Sequence, residues 1–165
     1  MVLICFEGPQ KVGKTTLIKH LVKHLKIPIW ERPLEIEEFK ERTNSYDMFV
    51  LDELSILNKI DWSKQDMIVD RHPAISEWVY STLLSRKSLV PKGDLNLISD
   101  GSCFIYLRRK WEERIKKLEQ SLYDAVMFSV RKKFPTLFIR TDLWNEYECT
   151  ELILEFIKTL KEEER

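Results

Sequence analysis

The sequence predicts an α/β protein with a parallel sheet covered by helices on both faces, and three observations carry that expectation. Five short apolar segments alternate with helical stretches in the order β-α-β-α-β-α-β-α-β-α. The first segment, Val2 to Phe6, is a continuous apolar run, the pattern of a strand buried on both faces. Directly after it, Gly8 to Thr15 read G-P-Q-K-V-G-K-T, a complete G-x-x-x-x-G-K-[ST] phosphate-binding loop.

The remaining elements follow in order. A helix is expected to begin near Lys14, because Leu17, Leu21 and Leu25 recur every four residues on one face. Further strands are expected at Ile27 to Trp30, Met67 to Asp70, Cys103 to Leu107 and Leu137 to Arg140. Val90-Pro91-Lys92-Gly93-Asp94 and Ser99-Asp100-Gly101 form a turn-rich connection before the fourth strand. Lys161 to Arg165 reads as a solvated helix end. No linker, repeat or low-complexity tract divides the chain, so residues 1–165 are expected to form a single domain.

Composition narrows the functional classes. Lys and Arg together number 27, as do Asp and Glu, so no basic excess points to nucleic acid as a partner. No apolar run approaches the roughly eighteen residues that span a bilayer. The N-terminus enters a strand without a signal-peptide pattern, and a cytoplasmic location is expected. Cys5, Cys103 and Cys149 are widely spaced and odd in number, which suits a reducing compartment.

The loop sets the chemistry. Gly8 and Gly13 let the backbone turn its N–H groups toward phosphate oxygens, and the following helix adds the positive end of its dipole. The expected cradle for the ATP phosphates is Gly8, Gln10, Lys11, Val12, Gly13, Lys14, Thr15 and Thr16. Within it, Lys14 is expected to reach the β- and γ-phosphates and Thr15 to ligate Mg²⁺. Ligands of such sheets gather at the carboxyl ends of the strands. Four of those ends are charged: Glu31-Arg32, Asp70-Arg71-His72, Arg108-Arg109-Lys110 and Arg140-Thr141-Asp142. Asp70 supplies a second Mg²⁺ contact and Arg71 a bidentate donor for a phosphate. Both Lys14 and Asp70 are expected outside the core.

After the fourth strand, Arg108, Arg109, Lys110, Arg114, Lys116 and Lys117 form a basic cluster able to close over ATP, with Arg114 as the expected transition-state cation. A plainer reading pairs Glu112 and Glu113 with Lys116 and Lys117 at i, i+4 on a solvated helix face. His20 and His24 share a metal-binding spacing without a third ligand and read as an outer helix face. Trp62, Trp78 and Trp111 read as core, whereas Trp30 can line an acceptor pocket.

Phe6-Glu7-Gly8 through Gly13-Lys14-Thr15-Thr16 resembles the F-E-G-x-x-x-x-G-K-T-T opening of thymidylate kinases. Asp70-Arg71-His72 is similar to their D-R-[YFH] motif, and Ser76-Glu77-x-x-Tyr80 to the helix that follows it. Ile105-Tyr106-Leu107 to Glu113-Arg114-Ile115 resembles the strand and lid entry shared with deoxynucleoside kinases. The resemblance implies a three-layer P-loop kinase fold with a short lid and a five-stranded parallel sheet of order 2-3-1-4-5. It also implies Mg-ATP as donor, a deoxynucleotide or deoxynucleoside as acceptor, and a homodimer. It gives Arg71 the acceptor phosphate and places Glu31, Arg32, His72, Glu53 and Tyr80 around the acceptor. Lys11 stands where some thymidylate kinases carry a loop arginine, and is expected to help neutralise the γ-phosphoryl group.

The chain departs from that family at several positions. Gln10 replaces a loop carboxylate that holds the sugar, Glu31-Arg32-Pro33-Leu34 replaces R-E-P-G-G-T, and Glu53 stands where an arginine approaches thymine. The expected reaction is transfer to a deoxynucleoside monophosphate, dTMP or a related pyrimidine nucleotide. Two alternatives stand beside it. One is a deoxynucleoside kinase in which Glu31 acts as general base on the sugar 5′-hydroxyl. The other is a non-catalytic ATP-binding regulatory module.

Overall fold

Alternation along the strands sorts their side chains onto two faces. In β1 (Leu3–Glu7), Leu3 and Cys5 enter one core while Ile4 and Phe6 enter the other. In β3 (Ser102–Arg108), Phe104 and Tyr106 join the first, and Cys103, Ile105 and Leu107 the second. A strand with apolar residues at both parities is buried on both sides, as the uninterrupted run in Val2 to Phe6 predicts. These features belong to a computed structural model of the chain, which describes residues 2–30, 46–59 and 65–164.

Helix α1 (Lys14–Leu25) covers the second face together with α5 (Glu146–Glu163), bringing Leu17, Leu21, Ile153 and Ile157 to that core. On the first face lie α2 (Tyr46–Lys59), α3 (Pro73–Leu83) and α4 (Arg114–Val130), which contribute Leu54, Leu57, Ile75, Trp78, Tyr123 and Met127. Local chemistry sets the helix starts. Asn145 and Glu148 exchange hydrogen bonds in a capping box ahead of α5. Pro73 opens α3, where a missing N–H costs nothing.

Among the described residues the sheet has four parallel strands in the order β2-β1-β3-β4, with β2 at Met67–Asp70 and β4 at Thr136–Arg140. Five strands were expected. The segment Ile27 to Trp30 instead makes a single parallel bridge, Ile29 to Ile68, beside β2. The Ile68 N–H donates to the Pro28 carbonyl at 3.0 Å and the Trp30 N–H to the Ile68 carbonyl at 2.8 Å. Pro28 has no N–H to carry the ladder toward the start of the segment, and the residues after Trp30 lie outside the described ones. Removing the second strand from 2-3-1-4-5 leaves 3-1-4-5, which is the order observed.

The register places the carboxyl ends together: Phe6 lies beside Asp70 and Glu7 beside Tyr106. The turn-rich connection is anchored from below. Buried Glu77 holds the Arg86 guanidinium and the Leu89 N–H, and the Trp78 indole donates to the Pro91 carbonyl at 3.0 Å. Trp78 is thus core, as expected, while Trp62, Glu31 and Arg32 lie outside the described residues. Among the described residues no helix is long and apolar enough to cross a membrane.

Candidate active site

The loop between β1 and α1 turns through three residues of left-handed backbone: Gly8 at φ 142°, Lys11 at φ 64° and Gly13 at φ 108°. Glycine is required at position 8 on two grounds. Its φ excludes an ordinary side chain, and a Cβ there would stand 2.5 Å from the Leu107 carbonyl oxygen. Gly13 caps α1 without a side-chain acceptor, so the first amides of the helix carry their partial positive charge uncapped by the chain.

Lys14 corrects one expectation. Its side chain lies in the interior at 7% exposure, with Nζ donating to the carbonyls of Gly8 and Pro9 at 3.2 and 3.3 Å. Burial lowers its ammonium to about 8, and the neighbouring Arg71 cation adds to the effect. The motif fixes where the chain places Lys14, but the loop wraps over the side chain and takes it out of solvent.

Two cavities flank the loop. The larger, about 690 Å³, brings together Gln10, Lys11, Lys14 and Thr15 from the loop side with Asp70 and Arg71 from the end of β2. Trp30 lines one wall and is buried. The second, about 400 Å³, lies between Val12, Gly13 and Thr16 on one side and Arg109, Trp144 and Asn145 on the other. Lys11 lines both.

Arg71 also has left-handed backbone, at φ 68°, and its N–H donates to the Phe6 carbonyl at 2.9 Å. Its guanidinium donates to the Gly8 carbonyl at 3.2 Å and lies over the Tyr80 ring, 5.5 Å from the centroid. The neighbouring His72 faces inward. It is 1% exposed, its Nδ1 accepts the Ala74 N–H at the start of α3, and its own N–H donates to buried Glu7 at 2.6 Å. His72 therefore caps a helix and does not line the cleft. Glu53 is buried on α2 and does not line it either. Tyr80 reaches the site through Arg71.

The basic cluster after β3 is divided among different tasks. Arg108 makes a bidentate pair with Asp124 at 2.7 and 2.8 Å, and Tyr106 donates to the same carboxylate at 2.6 Å. Arg109 lies over the Trp111 ring at 4.8 Å, beside the second cavity. Arg114 is exposed at the first position of α4. Lys116 does not pair with Glu112, because α4 begins only at Arg114 and Glu112 precedes it. It pairs instead with Glu119 at 3.1 Å and donates to the Gln10 carbonyl at 3.2 Å. His20 is exposed on α1, 3.3 Å from Glu146.

Glu119 is the residue that sequence reasoning missed. Its carboxylate is buried and accepts from the Gln10 N–H, the Tyr80 hydroxyl and Lys116. Burial alone would raise its pKa, yet the three hydrogen bonds hold it below the usual carboxylate value. A signal was present: Glu119 lies four residues before Tyr123 and eight before Met127, on the buried stripe of α4.

No protein-family model and no curated protein matches the chain. Solved structures do. YorR from Bacillus subtilis, determined in complex with phosphorylated GDP, is 21% identical with a TM-score of 0.68, the match covering 98% of each chain. Deoxyadenosine kinase from M. mycoides with dCMP and dCDP is 17% identical with a TM-score of 0.66, over 96% of this chain and all of that one. Thymidylate kinase from Ehrlichia chaffeensis is 15% identical with a TM-score of 0.64, over 96% and 98% of the two chains. The parallel sheet and these likenesses together show that the chain has the fold of these solved structures, with a phosphate-binding loop motif after its first strand.

Proposed function

We propose that the protein transfers the γ-phosphoryl group of ATP to a deoxynucleoside monophosphate, dTMP or a related pyrimidine nucleotide, giving the diphosphate. The observation that carries this reading is the meeting of Lys14, Thr15, Asp70 and Arg71 in one cleft of about 690 Å³. Phosphoryl transfer asks a protein chiefly for positioning and for cations around the transferred group. The uncapped start of α1 and the glycine loop receive the donor phosphates, and Lys14 exchanges its carbonyl partners for phosphate oxygens. Arg71, whose guanidinium shares the Gly8 carbonyl with Lys14, turns it to the acceptor phosphate.

Thr15 and Asp70 are oxygen donors lining the same cleft, the kind of set Mg²⁺ takes, and they would hold the ion that neutralises charge on the donor phosphates. Lys11, which borders both cavities, stands between the two ends of the donor and neutralises the γ-phosphoryl group. Arg114, exposed at the first position of α4, is the cation this reading brings over it. Two solved neighbours that act on nucleosides or nucleotides, deoxyadenosine kinase and thymidylate kinase, support an acceptor of this class.

A second reading, transfer to a deoxynucleoside, draws on two observations. Trp30 lines the cleft, and Glu31, which follows it in sequence, is the residue to which this reading gives the role of general base for a 5′-hydroxyl. His72, being buried, leaves Arg71 as the described cation of its triplet that faces an acceptor phosphate. The deciding experiment measures ADP release from Mg-ATP against a panel of deoxynucleosides and their monophosphates, with products resolved by chromatography. A diphosphate product supports the first reading. Turnover confined to nucleosides, abolished by Glu31→Gln, establishes the second.

A further inference from the structure

Four contacts in this site form a closed circuit. Gln10 donates its backbone N–H to Glu119, Tyr80 donates its hydroxyl to the same carboxylate, Arg71 lies over the Tyr80 ring, and Arg71 returns to the loop by donating to Gly8. Lys116 closes a second link by holding both Glu119 and the Gln10 carbonyl. Both backbone polar groups of Gln10, near the tip of the phosphate loop, are thus gripped by side chains of α4. The ring of Pro9 beside it fixes that residue's φ, which stiffens the same stretch.

We propose that Glu119, with Lys116, is a clamp that fixes the phosphate loop against Arg71 and so sets the distance between the donor and acceptor ends of the cleft. The proposal rests on the phosphotransfer reading above. The two ends come from different elements, the loop after β1 and the end of β2. Among the described residues, Glu119 is the side chain that binds the loop backbone at Gln10 and, through Tyr80, supports Arg71. A carboxylate suits the task because it accepts from several donors at once, and charge-assisted bonds in a buried setting are stiff. Glu119 acts through Gln10 and Tyr80, and is therefore a positioning residue.

The test compares Glu119→Ala, Glu119→Gln, Tyr80→Phe and the double variant Glu119→Ala/Tyr80→Phe. Misplacing reacting groups by about an ångström costs on the order of a hundredfold, so Glu119→Ala is expected to lower kcat by about that factor while KM for ATP stays within about threefold. Tyr80→Phe keeps the ring under Arg71 but loses the bond, and its effect is expected not to add to that of Glu119→Ala. Glu119→Gln, which still offers one acceptor oxygen, is expected to recover part of the rate. Hydrogen exchange of the peptide spanning residues 8–15 is expected to quicken in Glu119→Ala and much less in Glu119→Gln. If Glu119→Ala fails to fold, the Gln and Phe variants carry the same comparison.

Unchanged kcat, additive losses, or a loss confined to KM for the acceptor would overturn the clamp, the last by making Glu119 a direct substrate contact. Unchanged exchange at residues 8–15 would also overturn it. The two ideas fail separately: a parent protein that phosphorylates no acceptor defeats the functional reading, while the exchange measurement still decides whether Glu119 holds the loop.

Discussion

The guanidinium of Arg71 is hydrogen-bonded to the carbonyl of Gly8 across 3.2 Å, joining the end of β2 to the first residue of the phosphate loop. An acceptor phosphate in the cleft competes with that carbonyl for the same donor. Arg71→Lys keeps the charge but loses the planar fork, and is expected to raise KM for a monophosphate acceptor by about tenfold or more. Acceptor kinetics at saturating ATP check this, and an unchanged KM removes Arg71 from the acceptor site.

Burying Lys14 carries a cost, which nucleotide binding on the proposed reading would offset. With its ammonium near 8 in the folded chain and near 10.5 unfolded, the unfolded state holds the extra proton between those values. Stability from this group therefore rises with pH across that window, by up to about 3 kcal/mol. Lys14→Met keeps the stem and drops the charge. It is expected to abolish transfer, to be more stable than the parent at pH 7, and to lose that advantage near pH 10. Denaturant titrations at the two pH values test the sign.

The same shift predicts how donor binding responds to pH. Phosphate oxygens favour the charged lysine, so affinity for Mg-ATP should fall as pH rises through about 8. Calorimetric titration of the parent and Lys14→Met separates this from other groups, since the variant should show a flat profile over the interval.

Gly8→Ala should damage folding before it damages catalysis. A Cβ 2.5 Å from the Leu107 oxygen and a φ of 142° combine a clash with a strained backbone, for a loss of at least about 2 to 3 kcal/mol. Thermal unfolding of the apo protein measures it. A variant as stable as the parent would mean that the loop can move off β3.

His72→Ala is expected to cost about 1 kcal/mol through the lost cap on α3, with no selective change in acceptor KM. His72→Asn, which can accept the Ala74 N–H, should restore most of it. A large selective rise in acceptor KM would return His72 to the substrate site.

Most of the sheet was legible because buried parallel strands leave a mark in composition alone: Met67 to Asp70 emerges with its expected bounds, and the others within one residue at either end. The second strand was misread because Ile27 to Trp30 is apolar, and apolarity reports burial without reporting pairing; Pro28 was the contrary signal. In the site, the loop motif located Lys14 but said nothing of how deeply it would sink. His72 and Glu119 were opaque for one reason. A polar side chain beside a motif or among charges looks solvent-facing until its partner, the Ala74 N–H for His72 and the Gln10 N–H for Glu119, is known from the three-dimensional arrangement.

The single bridge at Ile29 has an evolutionary meaning. Among the described residues, the wall that Trp30 contributes to the cleft hangs from β2 by two backbone hydrogen bonds, whereas the phosphate loop follows β1 inside the sheet and Asp70 and Arg71 lie at the end of β2, which is paired along its length with β1. On the proposed reading, substitutions in that wall would alter which acceptor fits while leaving the phosphate loop and Arg71 in place, so that one edge of the molecule could vary while the donor end is kept.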